Sequence, residues 1–353
     1  MITFKKFVTE RYNVLYKKES EPDYSQLSVS DSQFSQAFRY LQVNDEIIEE
    51  AKKQIKALGL NDIAVKQIMS LVLQHDKPEN FFNALKNKMS PDEFFGSGNV
   101  VDTVASKYGL DRELVINILN YQAATQPVTG KGEAIVMLFV EGARKGAEGD
   151  VDINGVVYEI KGSDARLRGQ KGFGTTTSAI NTLKKGLTKL LAKAGIKAEV
   201  PSNFTIGKKD YGVINYYAPQ LLATSKVTRA DIIKLYADGF KELYQNAAAE
   251  TLIGWLNRSI TDDGTIVPGT GSGSFYINYF IFAIQYYASI ETFNYIVTLN
   301  TTKKPVGKVT YLSKETITSG NEDNILAKIQ PDGAPSITPG AGPQGAFFAI
   351  KSA

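Results

Sequence analysis

Gly149-Asp150-Val151-Asp152-Ile153-Asn154-Gly155-Val156-Val157-Tyr158-Glu159-Ile160-Lys161 reads as a two-stranded β-hairpin. Asn154-Gly155 is the strongest short-range hairpin signal, because both residues tolerate the positive φ of a type I′ turn. A two-residue loop sets the register. Ile153 then faces Val156, Asp152 faces Val157, Val151 faces Tyr158 and Asp150 faces Glu159. Side chains alternate between the two faces of a strand pair. One face therefore carries Val151, Ile153, Val156, Tyr158 and Ile160 and can pack on a helix. The other carries Asp150, Asp152, Val157, Glu159 and Lys161.

The polar face holds the chemistry. Directly opposed, Asp150 and Glu159 would have Cβ atoms ~5 Å apart, and like charges so placed destabilise a sheet unless something neutralises them. A divalent cation would do so. Mg²⁺ is a hard ion that binds few carboxylates and keeps waters for chemistry. Lys161 lies two residues beyond Glu159 on the same face, where it can orient a water and neutralise charge developing on a phosphate. Asp152 shares the face and is the alternative metal ligand.

An Asp on one strand followed by Glu-x-Lys on the next resembles the PD-(D/E)XK nuclease superfamily, the fold of many restriction enzymes, resolvases and phage exonucleases. The resemblance covers residues 130–200, with Gly149 standing where the family name has its Pro. It implies an α/β (α+β) fold, a restriction-endonuclease-like mixed β-sheet core flanked by helices. It implies Mg²⁺, with Mn²⁺ able to substitute, held by Asp150, Glu159 and the Ile160 carbonyl. Lys161 would position the attacking water. In that family a helix before the hairpin often supplies another acid. Gly130-Lys131-Gly132-Glu133 opens such a helix, and Glu133 would hold a second metal or a metal-bound water. The expected catalytic set is thus Glu133, Asp150, Glu159 and Lys161.

The segment that follows is basic. Residues 161–197 contain nine Lys or Arg and one acid, Asp164, a local balance of +8 against +3 for the chain. Phosphate contacts need such clustering. The glycine-rich loop 162–174 brings Arg166, Arg168, Gln170 and Lys171 toward a DNA strand, and Lys185 and Lys189 share a face of the next helix. A solvated helix face is the alternative reading.

Composition narrows the remaining chemistry. The chain has 353 residues, no cysteine and one histidine, His75. Disulfides, thiolate zinc sites and cysteine nucleophiles are excluded, and so are sites built on several histidines. What is left rests on carboxylates, lysines, hydroxyls and a hard metal ion. No 18-residue apolar run exists, so no membrane span is expected. The start, Met1-Ile2-Thr3-Phe4-Lys5-Lys6-Phe7, is too short and charged for a secretory signal, and it resembles the start of tailed-phage proteins. The expected location is the cytoplasm, that of the host for a phage protein, or the virion.

Outward from the hairpin, two domains are expected: 1–125, an arm and a helical region that could bind DNA, and 126–353, the nuclease domain with a C-terminal elaboration. The boundary falls at the turn-rich Gln126-Pro127-Val128-Thr129-Gly130. Ile47, Ile48, Ala51, Ile55 and Leu58 mark one helix, and Ile63, Val65, Ile68, Leu71 and Val72 the inward face of the next. Residues 101–119 form a helix-turn-helix candidate with Gly109 at the turn; an ordinary helical hairpin is the alternative. Helices are expected over 133–145, 176–194, 230–245 and 248–259, strands over 293–299 and 306–312, and a closing edge strand over 346–351. Phe275 to Ile290 reads as a buried helix or a strand pair, its aromatics as core rather than a base-stacking platform. Taken together, the sequence points to a Mg²⁺-dependent endodeoxyribonuclease, a hydrolase acting on DNA and compatible with a homodimer. The alternative is a non-catalytic DNA-binding or phage virion structural protein retaining the fold.

Overall fold

A computed structural model describes residues 45–122, 129–147, 149–169, 171–201, 212–267, 269–320, 322–333, 335 and 346–353. The expectations for the N-terminal arm, the boundary at 125/126 and Gln170 lie outside the described residues. The chain is mixed α/β and divides into two compact units. One takes in the chain up to Gly162 together with Leu299–Thr310; the other is Ser163–Thr298 with Tyr311–Ala353.

In the first unit, α1 (Asp45–Ala57) carries acids in its first turn and Lys56 in its last, which complements the helix dipole. Ile48, Ala51 and Ile55 are buried at helical spacing, and Gly59 at φ +90° follows its end. The next helix, α2 (Asp62–Leu73), is capped by Asn61, whose side chain accepts the Ala64 N–H at 2.9 Å. Val65, Ile68, Met69 and Val72 are buried there. Ile63, expected inward, is 49% exposed, because it lies on the opposite side of the helix from Val65 and Ile68. After α3 (Pro78–Lys86) and α4 (Pro91–Phe95) come α5 (Val100–Tyr108) and α6 (Arg112–Leu119). Gly109 turns between these two in the left-handed region at φ 62°, and Asp111 caps α6.

The following helix, α7 (Glu133–Phe139), is buried along its whole length. A helix that is apolar nearly all round belongs in a core. It was expected to run to Lys145 and does not. Val140 is extended at φ −103° and ψ 132°, Gly142 takes φ +73°, and Ala143–Lys145 becomes β1. A Cβ on Gly142 would collide with the Asn154 side chain, so the glycine admits the tip of the hairpin. The hairpin itself is β2 (Val151–Ile153) and β3 (Val156–Gly162), with Val151 opposite Tyr158, Asp152 opposite Val157 and Ile153 opposite Val156. Asn154 and Gly155 have φ of 54° and 85°, as the turn demands.

In the second unit, α8 (Thr176–Ala194) has the expected bounds; Thr175 caps its start and Gly195 its end. Next come α9 (Gly212–Ala223), α10 (Arg229–Leu243) and α11 (Ala249–Ser259). Packing of α8 on α10 is reciprocal. Leu235 sits against Gly186 and Leu183 against Gly239, with no room for a Cβ at either glycine. Then α12 (Phe275–Ile290) is a buried helix. Its Tyr279 hydroxyl accepts from Tyr244 at 2.9 Å and donates to the Ala346 carbonyl at 2.9 Å. The aromatics are core, packed with Trp255 and Phe240.

The chain ends with β4 (Tyr295–Leu299), β5 (Val309–Ser313), α13 (Lys314–Thr318), α14 (Glu322–Leu326), β6 (Ile329–Pro331) and β7 (Ile350–Ser352). Strands β1 to β5 follow one another in a five-stranded sheet. The expected closing edge strand is shorter and lies elsewhere: β7 pairs antiparallel with β6 in a separate two-stranded sheet. Among the described residues no helix is long and apolar enough to cross a membrane.

Candidate active site

The hairpin and the start of α7 bring Glu133, Asp150, Glu159 and Lys161 together in the first unit. Asp150 precedes β2 and extends its ladder: its N–H donates to the Tyr158 carbonyl at 3.3 Å. Its Oδ2 accepts the Ile160 N–H at 2.8 Å. Burial first, then the Glu159 and Glu133 charges, raise the Asp150 carboxyl to about 7 against the opposing effect of Lys161 and the Ile160 amide. The like-charge conflict expected between Asp150 and Glu159 is therefore present, with Glu133 adding to it.

The two glutamates each have a lysine. Lys161 Nζ lies 2.7 Å from Glu159 Oε1, with both side chains about nine-tenths buried. Lys145 pairs with Glu133 Oε2, and Glu133 Oε1 accepts the Gly130 N–H at 2.7 Å. Among the described residues Lys145 pairs with Glu133 and Lys161 with Glu159, and Asp150 is the acid without an ion pair.

Asp152 is not part of this cluster. Its Oδ1 accepts from Arg144 Nε at 3.3 Å and from the Gly155 N–H at 3.2 Å. It thus serves the turn and the neighbouring strand. Among the described residues no group of three or more carboxylates or imidazoles is arranged to hold a metal ion. His75 is partly buried and 3.9 Å from Asp111.

The basic residues lie in the second unit and differ in their engagement. Arg166 bridges to Ala349 through its backbone and donates to the Phe347 carbonyl at 2.7 Å. The Arg168 guanidinium lies over the Phe347 ring at 5.7 Å from its centroid, and its buried Nε finds no partner among the described residues. These two arginines anchor the loop to residues 347–349. Lys171, Lys185 and Lys189 are exposed. Lys193 instead pairs with Asp231 at 3.1 Å.

Lys145 went unrecognised in the sequence because it was counted into the helix of Glu133. The β-branched Val140 and Gly142 were the signal that this helix ends early, leaving Ala143-Arg144-Lys145 to alternate as a strand. Comparison of the chain with protein-family models, with curated proteins and with solved structures finds no match.

Proposed function

We propose that the protein is a metal-dependent deoxyribonuclease that hydrolyses DNA phosphodiester bonds at the Asp150–Glu159–Lys161 centre. The observation that carries this reading is Asp150: a carboxyl held near 7 between two glutamates, with a lysine on the same face. Ionising Asp150 there calls for a cation beside it. The donors fit a hard divalent cation in chemistry, being carboxylate oxygens with the Ile160 carbonyl beside them, and Asp150 Oδ1 accepts no hydrogen bond among the described residues. The restriction-endonuclease-like core, inferred from the resemblance, agrees with a sheet whose hairpin follows a helix opened by Glu133.

A bound cation would acidify a water and offset charge on the phosphate. The chain's own residues do the rest. Asp150 and Glu159 present oxygens on one face. Lys161, two residues from Glu159, holds its ammonium where it can orient a water and meet an anionic oxygen. Lys171, Lys185 and Lys189 supply cations for the DNA backbone. Arg166 and Arg168 keep the loop in place.

Among the described residues no group of three carboxylates or imidazoles is arranged to hold a metal ion, which favours a second reading, a non-catalytic DNA-binding or phage virion structural protein. Plasmid, linear and branched DNA incubated with Mg²⁺ or Mn²⁺ separates the two. Cleavage that disappears in Asp150→Ala, Glu159→Ala and Lys161→Ala establishes the nuclease. Full activity in Lys161→Ala overturns the mechanism, and DNA binding without cleavage in either metal establishes the second reading.

A further inference from the structure

Lys145 is the one ammonium group of the centre that comes from β1. Its backbone is gripped from outside the sheet. The Lys145 N–H donates to the Leu58 carbonyl at 2.7 Å, and a Cβ on Gly59 would sit 2.8 Å from the Lys145 Cβ. Across the strand pair Lys145 stands opposite Val151, next to Asp150 in sequence. The lysine side chain is 19% exposed and that of Glu133 is 6%. The Gly130 N–H on one oxygen and Lys145 on the other hold both oxygens of the Glu133 carboxylate.

We propose that Lys145 is a positioning residue that keeps Glu133 out of metal coordination, so that the first divalent cation is bound by Asp150 and Glu159 without it. The proposal rests on the metal-site reading above. A carboxylate held by an amide on one oxygen and by a buried ammonium on the other is fixed in orientation and neutralised, so it offers a cation less charge and cannot turn toward it without weakening a charge-assisted bond. The α1–α2 turn fixes the backbone and Cβ of Lys145, so its side chain starts from a set point beside Glu133. Removing it converts Glu133 into a spare anionic donor beside Asp150, and divalent affinity rises with the number of charged ligands.

The test is Mn²⁺ binding to the full chain, measured by calorimetry without DNA. Lys145→Met keeps the apolar stem and is expected to bind Mn²⁺ at least tenfold tighter than wild type, and Lys145→Arg as wild type does. Glu133→Gln, which needs no loss of the lysine, is expected to stay within about threefold of wild type. Unchanged or weaker binding in Lys145→Met with wild-type binding intact overturns the role of Lys145 alone. A tenfold loss in Glu133→Gln overturns it equally, by making Glu133 a direct ligand. No Mn²⁺ binding by wild type or by Lys145→Met overturns the metal-site reading, and this proposal with it.

Discussion

The Oδ2 of Asp150 accepts the backbone N–H of Ile160 at 2.8 Å, which ties the acid before β2 to the residue between Glu159 and Lys161. One hydrogen bond thus locks the metal-binding candidate to the Glu-x-Lys strand. It also holds Asp150 where burial and two glutamates disfavour its charge.

That relationship has a pH signature. The folded site prefers the protonated acid, with a value of about 7 against an ordinary 3.8. Stability from this preference is full below the ordinary value and is lost as pH rises through about 7. Thermal unfolding in EDTA should therefore show the melting temperature falling from pH 5 to pH 8. Asp150→Asn should flatten that fall and melt a few degrees above wild type at pH 8, while cleaving no DNA. A steeper fall in the variant would contradict the assignment.

Lys88 carries the opposite slope. Its Nζ donates to the Met137 carbonyl at 2.8 Å, and burial lowers its pKa to about 8. Between about 8 and the ordinary 10.5 the unfolded chain binds more protons at this site, so stability contributed there rises with pH. In melting curves from pH 7.5 to 10, wild type should gain on Lys88→Met as pH rises. Parallel curves would show that the ammonium is better solvated than its burial implies.

Phosphate binding should reside in the free lysines of the second unit. Lys185→Ala with Lys189→Ala is expected to weaken DNA binding several-fold at low salt. It should also lower the slope of log affinity against log salt by about 2. Arg166→Ala should act through the fold, lowering the melting temperature through loss of its bond to the Phe347 carbonyl. Titrations of labelled DNA at several salt concentrations measure the first effect, calorimetric melting the second. An unchanged salt slope in the double variant would remove α8 from the interface.

The core of the second unit depends on a hydroxyl chain. Tyr279→Phe removes the bridge between the Tyr244 hydroxyl and the Ala346 carbonyl, both buried. The expected cost is about 1–3 kcal/mol, that of leaving buried polar groups unpaired. Urea unfolding at pH 7 measures it; a loss under about 0.5 kcal/mol would mean that water reaches the gap.

Local signals carried the hairpin, its register and the two faces, because Asn154-Gly155 admits one tight turn and a strand's side-chain period is two. They also carried α8, bracketed by Thr175 and Gly195, and the turn at Gly109, since caps act over a few residues. From these alone Asp150, Glu159 and Lys161 fall on one face. Tertiary structure decided what those residues do to one another. The end of α7 at Phe139 depends on Gly142 fitting beneath Asn154, and only that early end makes Lys145 a strand residue that pairs with Glu133. Likewise, Arg166 and Arg168 look like phosphate ligands in sequence, yet residues 347–349, far along the chain, engage both. Charge and periodicity are written locally, whereas the partner that neutralises a charge is chosen by packing between distant segments.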